Sequence, residues 1–163
     1  MYVTSGNSEW RRINGDSLLR PLLDEVEDVL RLQEDYLSQL SICVGTDSEV
    51  RTAYTKFATV IVFLREGAGG FMFLRKSARK GRVGLKERMI QEVSTSIEVA
   101  YELAPLLKKY GIPMEVHADI NPDPRYLSSA AFKEAMGYIK GMGFTFKAKP
   151  DAFASSSCAD RFV

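Results

Sequence analysis

The chain has 163 residues, of which 45% are hydrophobic and 26% charged, with a formal net charge of +1. That length suits one domain and buries about 70% of the unfolded surface, so no disulfide or metal staple is required. The near-neutral charge excludes a global field that draws nucleic acid or membrane, so only local clusters can argue for either.

Met1 to Ser5 lacks the basic and then apolar pattern of a signal peptide, and no apolar run approaches the roughly 18 residues of a membrane span. The expectation is a cytoplasmic protein with no membrane partner, folded as one domain over residues 1–163. Residues 1–16 are polar and read as a loosely held arm. Leu18, Leu19, Leu22, Leu23, Val26, Val29, Leu30 and Leu37 then recur at helical spacing with acids between them. This predicts an amphipathic helix over residues 17–38, with Asp16 as N-cap and Pro21 in its first turn.

The period changes at Ser41. Residues 41–48 form a short apolar strand ending in polar residues, and Cys43 within it reads as buried filler. With only one other cysteine, Cys158, there is no disulfide framework. Thr55 to Arg65 is rich in Val, Ile, Phe and Thr, as strands are. Glu66 to Gly70 is a turn signal, and Phe71 to Arg75 is the return strand of an antiparallel meander. A basic linker leads to a helix over residues 85–110, striped by Leu85, Met89, Val93, Ile97, Ala100, Ala104 and Leu107. Pro105 is expected to kink its last turns, and Gly111 to stop it. Met114 to Ile120 is a strand, a helix capped by Ser128 or Ser129 runs to about Gly141, and Phe144 to Lys149 alternates as a strand. The Ala- and Ser-rich end is partly helical. Strand–helix–strand units impose parallel pairing, so the expected fold is α/β: a mixed five-stranded sheet with flanking helices and an extra N-terminal helix.

Within this plan four acids stand out: Asp47, Glu92, Asp119 and Asp160. Asp47 and Asp119 each follow an apolar run. If their strands pair in parallel, both carboxylates emerge at the same sheet end, where ligands of α/β sheets bind. Glu92 lies two turns into the long helix. The small Ser94, Thr95 and Ser96 beside it permit close approach to the sheet. Two carboxylates about 5 Å apart repel by roughly 3 kcal/mol at an effective dielectric of 20. A hard divalent cation removes that penalty, and Mg²⁺ or Mn²⁺ suits oxygen ligands best. Two such ions can activate water and stabilise a leaving oxygen in phosphoryl transfer. The competing reading is that these acids are turn residues or solvated faces, like most of the 21 acids in the chain.

Val44-Gly45-Thr46-Asp47-Ser48, His117-Ala118-Asp119-Ile120-Asn121, Lys140-Gly141-Met142-Gly143-Phe144, and Lys149-Pro150-Asp151-Ala152 with Ala159-Asp160-Arg161 occur in this order. With three antiparallel strands followed by helix, strand, helix, strand and helix, the chain resembles the YkuK-like family of the ribonuclease H-like superfamily over residues 18–163. The resemblance implies metal-dependent nucleic-acid hydrolysis or strand transfer through a carboxylate cluster. It implies Asp47 as the ligand bridging two Mg²⁺ or Mn²⁺ ions, Glu92 as the helix ligand and Asp119 as the ligand after the fourth strand. Asp160 corresponds to the acid of the final helix, with Asp151 as its rival.

Arg75, Lys76, Arg79, Lys80 and Arg82 concentrate around the third strand and the linker after it. Such a patch on a near-neutral chain can grip a phosphate backbone. The alternative is that Arg75 and Lys76 only protect an edge strand. Gly81 and Gly84 leave the linker free to close over a substrate. His117 lies two residues before Asp119, on the same face. It reads as a hydrogen-bonded structural residue, with a proton shuttle or ligand as the alternative. Ser155, Ser156 and Ser157 have no histidine nearby in sequence, which speaks against a serine hydrolase. The expected function is metal-dependent phosphodiester hydrolysis, with RNA, DNA or hybrid undetermined. The alternative is a non-catalytic nucleic-acid-binding or assembly module on the same fold. Nucleotide phosphoryl transfer, which needs two such domains, ranks third. An exposed edge strand leaves a homo-oligomer open.

Overall fold

The computed structural model describes residues 10–121, 123–125 and 132–163. Its strands are β1 (Trp10–Arg12), β2 (Leu40–Val50), β3 (Tyr54–Arg65), β4 (Gly69–Lys80), β5 (Met114–Ala118) and β6 (Thr145–Lys147). Its α-helices are α1 (Leu22–Leu32), α2 (Leu85–Lys109) and α3 (Phe132–Gly141). A short π-helix over Ala154–Ala159 continues as a 3₁₀ turn over Asp160–Phe162, and together they form the C-terminal helix.

The strands form one sheet in the order β1-β4-β3-β2-β5-β6. The meander β2-β3-β4 is antiparallel, whereas β5 joins β2 and β6 joins β5 in parallel. This is the expected mixed sheet with one strand more. The sixth strand falls in the supposed polar arm. Gly15, at φ 95°, closes a turn that lets Leu18 N–H reach the Trp10 carbonyl, and Trp10 pairs with Arg75 of β4. The Arg75 guanidinium lies 5.0 Å over the Trp10 ring, which is buried.

That same turn shortens the N-terminal helix. Asp16 takes a hydrogen bond network of its own with Asn14 rather than capping a helix. Pro21 stands one residue ahead of α1 in extended conformation (φ −51°, ψ 147°). The span expected to continue as helix tightens into a 3₁₀ turn over Glu34–Gln39. β4 also outruns its expectation: Lys76 to Lys80 pair with β3 up to Tyr54↔Lys80, so the basic linker shrinks to residues 81–84. The expected caps Ser128 and Ser129 lie outside the described residues.

The sheet has two unlike faces. Ile42, Val44, Ile61, Phe63 and Phe73 pack against α1, α2 and α3 in the main core. The opposite face buries Cys43, Ala58, Val60, Val62 and Leu74 against the C-terminal helix. Alternation along β2 therefore sends even positions to α2 and odd positions to the C-terminal helix. β2 lies between both helix layers, and its end is where groups from either side can meet.

Candidate metal centre

Asp47 stands near the end of β2, paired with Ala58 of β3. The parallel register Thr46↔Ala118 carries Asp119 to its flank, one residue beyond β5. Glu92 projects from the third turn of α2 and is 8% exposed. Asp160 begins the 3₁₀ turn of the C-terminal helix and reaches the centre from the other face. The carboxylates act on one another. Asp47 is raised to about 7, first by burial, then by the charges of Asp119 and Asp160 and a hydrogen bond shared with Asp160. The Ser48 backbone N–H opposes that rise. Glu92 is raised to about 8, chiefly by burial and then by Asp47 and Asp119, against the Ser48 hydroxyl and Arg88.

Two neighbours fix Glu92. The Ser48 hydroxyl donates to Glu92 Oε1, and Arg88 Nη1 donates to the Ser48 carbonyl at 3.0 Å and to its hydroxyl at 3.2 Å. One turn further along α2, the Ser96 and Thr46 hydroxyls lie 2.8 Å apart. These small residues bring α2 onto β2 as their size suggested. On the opposite face, a Cβ on Gly45 would lie 2.5 Å from Ser155 N and 2.7 Å from the Ala154 carbonyl carbon. Only glycine lets the helix carrying Asp160 lie so close.

His117 locks that contact. The Ala154 N–H donates to His117 Nδ1 at 3.1 Å, so the ring proton sits on Nε2 and is donated to Glu115 Oε2 at 2.9 Å. Burial lowers the histidine's pKa and keeps it neutral despite Glu115. His117, Glu115 and Cys43 offer ligand atoms all within 4.8 Å of one another. Yet a metal on Nε2 would require the proton on Nδ1, against the Ala154 N–H. Cys43, meanwhile, is pushed up to about 12 by burial and Glu115. The group is therefore satisfied as a structural network. Among the described residues the four acids form no group so tight.

Asp151 is exposed, and its charge acts on His117. The acids that weigh on Asp47 are Asp119 and Asp160. Asp160, unlike Asp151, is among the acids whose charge and hydrogen bond act on Asp47. The basic residues divide between the faces. Arg79 Nη1 is held by Glu87 of α2 at 2.5 Å, while Lys76 lies 5.4 Å over the Phe162 ring on the face of Asp47. Ser155 and Ser156 hydroxyls donate to the Ala152 carbonyl and belong to the C-terminal helix, not to any nucleophile. Sequence reasoning placed Ser48 and Gly45 in a motif and Arg88 among the basic residues, but not in these supporting roles. An interior glycine in a strand pattern was the signal for Gly45. The role of Lys149, whose ammonium lies 2.9 Å from Asp119 Oδ1, was missed too, and only the register of β5 with β6 reveals it.

The sheet order, with helices on both faces, defines a ribonuclease H-like protein. The Ribonuclease H-like family model matches residues 24–163, and the chain belongs to that family. It is similar to "Uncharacterized protein YkuK" of Bacillus subtilis (strain 168), being 30% identical over 146 residues, 81% of this chain and 84% of that protein. The resemblance to the YkuK-like family therefore holds. No solved structure matches at comparable significance. The family supports a function related to nucleic acid. Among the described residues no helix is long and apolar enough to cross a membrane.

Proposed function

We propose that this protein hydrolyses phosphodiester bonds of nucleic acid at a divalent-metal centre held by Asp47, Glu92, Asp119 and Asp160. One observation carries the reading. Four carboxylates from β2, α2, the end of β5 and the C-terminal helix converge so that Asp47 and Glu92 are driven to about 7 and 8. An arrangement that costs stability needs a compensating ligand, and a hard cation fits a donor set made of carboxylate oxygens. The donor set passes a second test. Asp119 Oδ1 is buried and accepts no hydrogen bond among the described residues, and its near neighbour is itself a cation, the Lys149 ammonium at 2.9 Å, so it suits a positively charged ligand.

Bound there, Mg²⁺ or Mn²⁺ supplies Lewis acidity toward a phosphoryl oxygen and lowers the pKa of a coordinated water. The chain's own residues supply the frame. Asp47, between Asp119 and Asp160, is the central ligand. Ser48 and Arg88 fix the Glu92 rotamer from behind. Gly45 and His117 hold the helix that delivers Asp160. Lys76 stands in the cross-sheet row Lys76–Ala58–Asp47 and offers its ammonium to a phosphate backbone passing the acids.

Calorimetric titration with Mn²⁺ tests the reading. Wild type should bind saturably near the millimolar range and cleave RNA, DNA or a hybrid, whereas Asp47→Asn should lose both. Absence of saturable binding to wild type would refute the metal centre and leave the binding-module alternative.

A further inference from the structure

The acid row does not end at Asp119. β6 pairs with β5 in the register His117↔Lys147. The Lys149 backbone N–H continues that pairing by donating to the Ile120 carbonyl at 3.1 Å. Asp47, Asp119 and Lys149 thus stand abreast at the ends of three neighbouring strands, about 4.8 Å apart from strand to strand. The Lys149 ammonium lies 2.9 Å from Asp119 Oδ1, and its side chain is 43% exposed. The same Oδ1 is buried and accepts no hydrogen bond among the described residues. The contact is thus an ion pair without a hydrogen bond among the described residues. A half-exposed pair of this kind is weak, on the order of 0–1 kcal/mol, and easily exchanged.

A monovalent cation therefore rests against an oxygen suited to a divalent one. We propose that Lys149 is the resident counter-cation of Asp119. The incoming metal ion displaces its ammonium from Oδ1, and the freed ammonium turns on its flexible stem to a non-bridging phosphate oxygen of the substrate. This rests on the metal-centre reading above and adds to it a residue that couples metal occupancy to phosphate binding. No covalent bond forms or breaks in the exchange. Lys149 is a binding and positioning residue that competes with the metal for one carboxylate oxygen. Lys76, at the other end of the same row, has no carboxylate partner among the described residues and lies over the Phe162 ring.

The experiment is a Mn²⁺ titration of the whole chain without nucleic acid, comparing wild type, Lys149→Met, Lys149→Arg and Lys140→Met. Removing one positive charge about 4–5 Å from the ion should tighten Mn²⁺ binding on the order of tenfold in Lys149→Met. Lys149→Arg keeps the cation and should stay at or below wild-type affinity. Lys140→Met removes an equal charge from exposed α3 and should change nothing. With Mn²⁺ saturating, Lys149→Met should bind a cleavage-resistant phosphorothioate oligonucleotide several-fold more weakly. Its log–log salt slope should fall by about 0.7, one single-strand phosphate contact. Unchanged or weaker Mn²⁺ affinity in Lys149→Met, beside normal binding by wild type, overturns this inference alone. Failure of wild type to bind Mn²⁺ overturns the metal centre itself, and this inference with it.

Discussion

Replacing Asp47 with Asn should make the metal-free protein more stable, and only at the pH where the charge exists. Asp47 rises from the ordinary carboxylate value to about 7, chiefly through burial and then through Asp119 and Asp160. An acid raised in the folded state is more protonated there than in the unfolded chain, so its penalty grows with pH. It begins near pH 4, where the unfolded group ionises, and is complete above about 7. At about 1.4 kcal/mol per pH unit the full rise corresponds to roughly 4 kcal/mol. Asp47 is only half-buried, and solvent screening discounts that to about 2 kcal/mol. Asn removes the charge and keeps an oxygen to accept the Ser48 N–H. Thermal unfolding in chelator at pH 8 should therefore show Asp47→Asn melting roughly 4–8 °C above wild type. The gap should shrink steadily toward pH 4. Adding Mg²⁺ at about ten times its dissociation constant should raise wild type by about 1.4 kcal/mol and leave the variant unmoved. A variant that is less stable at pH 8, or a gap independent of pH, would refute the idea that the cost of a buried, crowded carboxylate charge is stored here.

Two further outcomes follow from the same packing. Gly45→Ala places a methyl against backbone atoms that cannot yield, at 2.5 Å and 2.7 Å, so the C-terminal helix must lift. The cost should be about 1–3 kcal/mol, read as faster amide exchange over residues 152–163, while protection of the β3–β4 ladder is retained. Changing Arg79, Lys80 and Arg82 together to Ala should flatten the log–log salt slope of oligonucleotide binding by about 1.4, not three contacts' worth, because Arg79 is held by Glu87. An unchanged slope removes this end of β4 from the binding surface.

Much of this fold is written in local pattern. The Val- and Phe-rich run at residues 55–65 and the helical stripe from Leu85 to Leu107 each report which face is buried, and both appear nearly where periodicity put them. What failed locally did so for physical reasons. Trp10–Arg12 has no strand signal of its own; it becomes a strand because Gly15 folds the chain back and β4 offers an open edge. β4 runs on through Lys80 despite its charges, because pairing with β3 satisfies its backbone while the side chains reach water. The helix predicted to start at Ser17 yields to Pro21, which ends the extended approach instead of opening the first turn.

The acids and the residues that hold them were legible to different degrees. Asp47 and Asp119 were visible because a polar residue closing an apolar run is a strand-end signal, and parallel pairing then makes them neighbours. Glu92 was visible through the small residues after it, although nothing local distinguishes it from Glu87, which faces solvent and binds Arg79. The supporting parts were hidden because they belong to pairs distant in sequence: Ser48 with Glu92, Gly45 with Ser155, His117 with Ala154 and Lys149 with Asp119. In the first three pairs one partner comes from the strands and the other from a helix laid over them; in the last both stand just beyond the ends of neighbouring strands. A centre built this way has its charges set by sequence and its spacing set by packing. A neutral change at a residue that carries no carboxylate, such as Gly45→Ala, should therefore weaken metal binding by moving Asp160 without altering a single charge.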